Sequence, residues 1–171
     1  MADVFRFSDE LGPAKVLHLY EAGLGLRAIL VVDSIATGPA IGGVRMADDV
    51  SAEECFRLAR AMTLKNAAAG LPHGGAKAVI FDDPKQPVER KEQRVRALAC
   101  AIGPIADYIP GPDMGTDETC MAWFKQASPE GVRRPKRARF PNQRKASLRC
   151  IPRIGRSVWR LAAQGQKASP L

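Results

Sequence analysis

Up to about residue 126, apolar and polar positions fall into short blocks whose period changes along the chain. Val16-Leu-His-Leu-Tyr20 and Leu26 to Val32 are brief apolar runs separated by a glycine-containing turn, which predicts two strands. Ile41 to Met46, entered through Gly38-Pro39, predicts a third. The period then lengthens. Ser51-Ala-Glu-Glu54 sets a hydroxyl three residues ahead of a carboxylate, a pattern that opens helices. Cys55, Leu58, Ala59, Met62 and Ala69 follow at three- and four-residue steps or their multiples, until Gly70-Leu-Pro72 stops the helix. Ala76 to Phe81 predicts another strand and Val88 to about Ala106 a second helix. After the turn Pro110-Gly111-Pro112, Thr116 to Lys125 begins a third helix. Strands alternating with helices predict an α/β domain.

Composition adds a boundary to this picture. The 171 residues, 46% of them apolar, suffice for one domain with a real core plus an appendage. The formal charge of +8 is concentrated at one end. Residues 127–171 hold twelve Lys and Arg against the single acid Glu130, leaving 14 basic and 17 acidic residues in 1–126, an ordinary balance. Two regions are therefore expected: a folded domain over 1–126 and a basic, Pro/Arg-rich tail over 127–171, expected to be disordered. The acidic N-terminus has no basic n-region and apolar h-region, and no run approaches the ~18 apolar residues of a membrane span. Cys55, Cys100, Cys120 and Cys150 form no C-x-x-C pair and only two histidines accompany them, so reduced thiols in a cytoplasmic protein, without a metal site, are expected.

Two nucleotide signatures fail on context. Gly23-x-Gly25-x-x-Ala28 has the dinucleotide spacing but leads into the strand-like Ile29 to Val32, where pyrophosphate needs a helix N-terminus. Gly70 to Lys77 has the wrong spacing for a phosphate loop, and Ala78 offers magnesium no hydroxyl.

The candidate chemistry lies in two lysines and an aspartate set among glycines. Lys65 falls in step with 55, 58, 62 and 69, on the apolar stripe, where it either steadies the helix C-terminus or points toward whatever covers that face. Lys77 follows Gly74-Gly75-Ala76 and precedes Ala-Val-Ile, either buried or on an exposed edge strand. Burial is what makes a lysine amine usable as an acid or base. Asp113 sits in the Pro/Gly-fixed stretch Tyr108 to Gly115, as a positioned carboxylate or as the cap of the next helix.

Taken together, these segments resemble the glutamate/leucine/phenylalanine/valine dehydrogenases. Leu71-Pro-His-Gly-Gly-Ala-Lys77-Ala-Val-Ile-Phe-Asp-Asp-Pro84 is similar to that family's active-site lysine signature. Gly38-Pro-Ala-Ile-Gly-Gly-Val-Arg-Met46, Leu58 to Gly70 and Pro112-Asp-Met-Gly-Thr116 resemble its other N-domain blocks, in order, over roughly residues 10 to 125. The resemblance implies the three-layer α/β N-terminal domain of amino-acid dehydrogenases, which binds substrate and builds a homo-oligomer. It implies oxidative deamination: hydride passes from Cα to NAD or NADP, and water converts the imine to a 2-oxo acid and ammonia. Lys77 would then be the catalytic lysine that activates water, and Asp113 the proton shuttle to the amine. Lys65 would pair with the α-carboxylate, and Gly42 and Gly43 would bring backbone close to the same group. Members acting on glutamate carry Lys where this chain has Ile41, so an apolar substrate such as leucine, valine or phenylalanine is implied.

Members of that family continue into a Rossmann domain, whereas the tail shows five prolines, no sustained apolar period and no dinucleotide fingerprint. The chain is therefore expected to bind no cofactor well and to be inactive by itself. Out-of-frame translation after a frameshift near 124–128 is the preferred origin of the tail. The alternatives are a genuine extension that binds nucleic acid or another polyanion, making the chain a non-catalytic binding module, and a regulatory or assembly fragment.

Overall fold

The computed structural model describes residues 5–128, so the expectations for the basic tail lie outside the described residues. Eight elements follow one another: β1 (Lys15–Glu21), β2 (Leu26–Val32), β3 (Ala40–Ala47), α1 (Ala52–Ala68), β4 (Gly74–Phe81), α2 (Val88–Ile102), β5 (Tyr108–Pro112) and α3 (Glu118–Ala127). The strands form one sheet in the order β1-β2-β4-β3-β5. β1 and β4 run antiparallel to β2, whereas β3 runs parallel to both β4 and β5.

Side chains alternate across this sheet, and helices cover both faces. Leu30, Val32, Ala78 and Ile80 pack with Val95, Leu98, Ile102 and Phe124 of α2 and α3. Ile29, Val31 and Val79 pack on the other face against Cys55 and Ala59 of α1. Burial on both sides explains why β2 and β4 read as nearly unbroken apolar runs rather than alternating ones. The architecture is the expected three-layer α/β domain.

Three local expectations need correction. Pro110-Gly111-Pro112 is not a turn: it lies in β5, an edge strand paired with β3 in the register Gly42 to Pro110 and Val44 to Pro112. Proline is tolerated there because an edge strand has one side that needs no amide donor. The second helix stops at Ile102, before Gly103-Pro104, rather than running to Ala106. The buried side of α1 consists of Cys55, Ala59 and Asn66, while Leu58 and Met62 are half-buried and Lys65 and Ala69 exposed. The helix therefore meets the sheet on a line rotated from the apolar stripe, and Lys65 does not lie beneath it.

Candidate active site

The site is built where β3, β4 and β5 run side by side. Lys77 stands on β4, between β2 and β3, opposite Val31 and one residue beyond Ala76. Only 5% of it is exposed, which excludes an exposed edge-strand lysine. Burying an ammonium requires an anion, and Lys77 Nζ donates to Asp113 Oδ2. Asp113 directly follows β5. Because β5 is parallel to β3, with Val44 beside Pro112, the next residues along the two strands, Arg45 and Asp113, become neighbours. Arg45 Nε donates to the same Oδ2 at 2.9 Å, and Arg45 Nη1 donates to Glu54 Oε1 in the first turn of α1. Burial works to raise the Asp113 carboxyl, but the hydrogen bonds from Lys77 and Arg45 outweigh it and hold its pKa below the ordinary 3.8.

The loop after β5 fixes this carboxylate. Asp113 donates its backbone N–H to Thr116 Oγ1 at 3.0 Å, and that hydroxyl donates to the Val44 carbonyl at 2.6 Å. Met46 N–H donates to the Met114 carbonyl at 3.0 Å, stitching the loop to β3. Gly115 sits at φ +77°, where a Cβ would fall 2.0 Å from the Met46 carbonyl oxygen. The helix cap is Asp117, whose side chain accepts from Cys120 N–H at 2.9 Å, so Asp113 is free of that task.

Gly42 and Gly43 border the pair. A Cβ on Gly43 would lie 2.7 Å from Asp113 Cβ, and one on Gly42 would lie 1.7 Å from the Ala76 carbonyl oxygen. Tyr108 Oη donates to the Gly42 carbonyl at 2.9 Å, and burial pushes the phenol's pKa well up. These glycines let β3 close on β4 and on the catalytic candidate, a packing reason that sequence reading had not separated from substrate approach.

The sequence profile of the Glu/Leu/Phe/Val dehydrogenase dimerisation domain matches residues 21–130. The chain belongs to that family. Leucine dehydrogenase of Bacillus cereus is 38% identical over 119 residues, covering 67% of this chain and 32% of that protein. The NADP(+)-dependent glutamate dehydrogenase of Pyrobaculum calidifontis is 42% identical over 109 residues, covering 61% of this chain and 25% of that one. Among solved structures, the hetero-hexameric glutamate dehydrogenase of Thermus thermophilus, in a leucine-bound form, superposes with a TM-score of 0.63 and 33% identity, over 70% of this chain and 33% of that one. The chain thus spans about a quarter to a third of the length of these relatives.

Within this family member, the described residues bring Lys77, Asp113, Gly42 and Gly43 together. Lys65 is exposed in the last turn of α1. Its neighbour Asn66 is buried and donates Nδ2 to the Gly74 carbonyl at 2.7 Å, tying that end of α1 to the start of β4. Sequence reading passed over Arg45, Glu54 and Thr116. Arg45 shares the odd-numbered face of β3 with Gly43, which was a usable signal. The pattern Ser51-Ala-Glu-Glu54 makes Glu54 a capping partner; in the fold Ser51 Oγ accepts from Glu54 N–H at 3.1 Å while the Glu54 carboxylate turns to Arg45.

Proposed function

We propose that residues 5–128 form the substrate-side portion of an amino-acid dehydrogenase that deaminates an apolar L-amino acid such as leucine, valine or phenylalanine, working with NAD or NADP in a homo-oligomer. The contact between the buried ammonium of Lys77 and the carboxylate of Asp113 carries this reading. An amine and a carboxylate in direct contact, one buried and the other held ionised, form a pair suited to moving protons at one carbon. On this reading Lys77 activates the water that converts the imine, formed once hydride has left Cα, to the 2-oxo acid and ammonia, and Asp113 exchanges protons with the substrate nitrogen. Lys65 pairs with the α-carboxylate, near which the backbone of Gly42 and Gly43 lies.

The Gly23-x-Gly25-x-x-Ala28 motif does not fit a dinucleotide. Gly25 lies at φ +59° in the turn between β1 and β2 and leads into a strand, with no helix N-terminus to receive pyrophosphate. The roles proposed here are accordingly confined to binding and proton handling. The apolar preference rests on Ile41, which β3 sets between Gly75 of β4 and Ile109 of β5, on the same strand face as Gly43 and Arg45. A second substrate carboxylate would find no cation at that position. The unpaired thiols Cys55, Cys100 and Cys120 suit a cytoplasmic setting.

Titrating the isotope-labelled 171-residue chain with leucine and with glutamate tests the assignment. Leucine is expected to shift the amide resonances of Gly42, Gly43, Lys77 and Asp113, with a weaker response to glutamate. A stronger response to glutamate at these residues would overturn the apolar preference, and leucine shifts confined to other residues would overturn the site.

A further inference from the structure

Asp113 is held asymmetrically. Its Oδ2 receives both Lys77 Nζ and Arg45 Nε, whereas Oδ1 has no hydrogen-bond partner among the described residues. Arg45 is itself fixed at its other end by Glu54, and its side chain is 14% exposed. Two cations and two anions therefore alternate along one line, Lys77, Asp113, Arg45, Glu54, reaching from the central strand to the first turn of α1.

We infer that Arg45 is a positioning residue for the proposed proton transfer: with Lys77 it occupies Oδ2 and turns Oδ1 of Asp113 toward the substrate nitrogen. A carboxylate with both oxygens engaged has no free lone pair directed at an amine. One with neither engaged rotates about its Cβ–Cγ bond. Engaging one oxygen with two donors fixes the plane and leaves a single oxygen open. Arg suits this task better than Lys because its rigid planar fork reaches two carboxylates in fixed directions. Glu54 limits the effect by competing for the same guanidinium. Asp113 thus faces Lys77 of β4 and Arg45 of β3, with Glu54 of α1 acting through Arg45, while the Tyr108 phenol of β5 is bonded to the Gly42 carbonyl and feels the Asp113 charge only at longer range.

This inference rests on Asp113 being the proton-handling group, but its test does not depend on turnover. In the full 171-residue chain labelled with carboxyl-13C aspartate, the Asp113 titration is followed in the parent, Arg45→Met, Arg45→Lys and Glu54→Gln. Arg45→Met is expected to raise the apparent pKa of Asp113 by about one unit, the effect of losing one adjacent guanidinium, and Arg45→Lys to raise it less. Glu54→Gln is expected to lower it, because a competing anion is lost. General loosening of the fold would move every variant the same way, toward the unfolded value, so the opposed signs separate positioning from a merely structural role. An unchanged titration in a folded Arg45→Met chain would overturn the inference, as would an upward shift in Glu54→Gln. Should Arg45→Met fail to fold, the sign in Glu54→Gln decides. None of these outcomes bears on whether Lys77 and Asp113 take part in the chemistry, which the leucine titration addresses separately.

Discussion

The two faces of the sheet share strands but differ in chemistry. Toward α2 and α3 the buried cluster is aliphatic and aromatic, with Met46, Cys120 and Tyr108 joining the Leu, Val, Ile, Ala and Phe, and the buried ion pair on that side, Arg94 with Asp82, lies beyond the end of β4. Toward α1 the apolar cluster is small, and the face carries charge: Lys77, Arg45 with Glu54, and Asp33, which is 3% exposed and receives Arg60 Nε at 2.9 Å and Thr63 Oγ1 at 2.6 Å. Because neighbouring residues on a strand point to opposite sides, Ala76 and Ala78 serve the core while Lys77 between them serves the site. One strand can hold a rigid apolar layer and a charged centre without compromising either.

Substitutions on the two faces should therefore separate stability from ligand response. The largest loss is expected from Leu30→Ala on the α2 and α3 face, about 2–5 kcal/mol by urea unfolding, with leucine shifts retained in whatever fraction stays folded. Lys77→Met on the other face removes a buried ammonium but leaves Asp113 paired with Arg45, so it should cost less than Leu30→Ala while abolishing those shifts. A Lys77→Met chain as destabilised as Leu30→Ala would merge the two roles.

An intermediate effect is expected where the faces meet. Gly42→Ala would drive a methyl into the Ala76 carbonyl, whereas Gly111, with nothing within 4 Å of an added Cβ, leaves room for one. Gly42→Ala should cost on the order of 1–3 kcal/mol or more, and Gly111→Ala close to nothing, in the same unfolding measurement. Equal costs would show that the crowding between β3 and β4 is relieved by movement.

The smallest effect concerns acid. Asp113 titrates below its ordinary value, so its ionised form stabilises the fold above about pH 3.8, and that contribution is lost as pH falls through the lowered pKa. Asp9, held at about 2 chiefly by its hydrogen bond with Arg60, acts in the same direction. The stability difference between the parent and Asp113→Asn should be constant well above pH 3.8 and shrink on acidification. A difference that widened in acid would reverse the assigned sign.

Most of the fold was legible because burial on two sides leaves a plain mark: Leu26 to Val32 was bounded correctly, and Ser51 does cap α1. What stayed hidden depended on neighbours far away in sequence. The prolines of β5 suggest a turn until β3 is seen beside them. The apolar stripe of α1 pointed to Lys65, but the sheet meets the helix along Cys55, Ala59 and Asn66. In the site, Lys77 and Asp113 stood out as chemical types in glycine-rich settings. Arg45 and Glu54 did not, because each had a bland local role and their partnership exists only once strand and helix are packed.

The prolines of β5 have a consequence for behaviour at high concentration. An edge strand ordinarily offers a row of amide donors on which another chain can lay a strand and begin an ordered aggregate. Pro110 and Pro112 remove two donors from the five residues of β5, so the sheet cannot readily grow past the strand that leads into Asp113. The rim nearest the charged centre is thereby blunted against templated polymerisation, and the protection is written into the backbone rather than into surface charge.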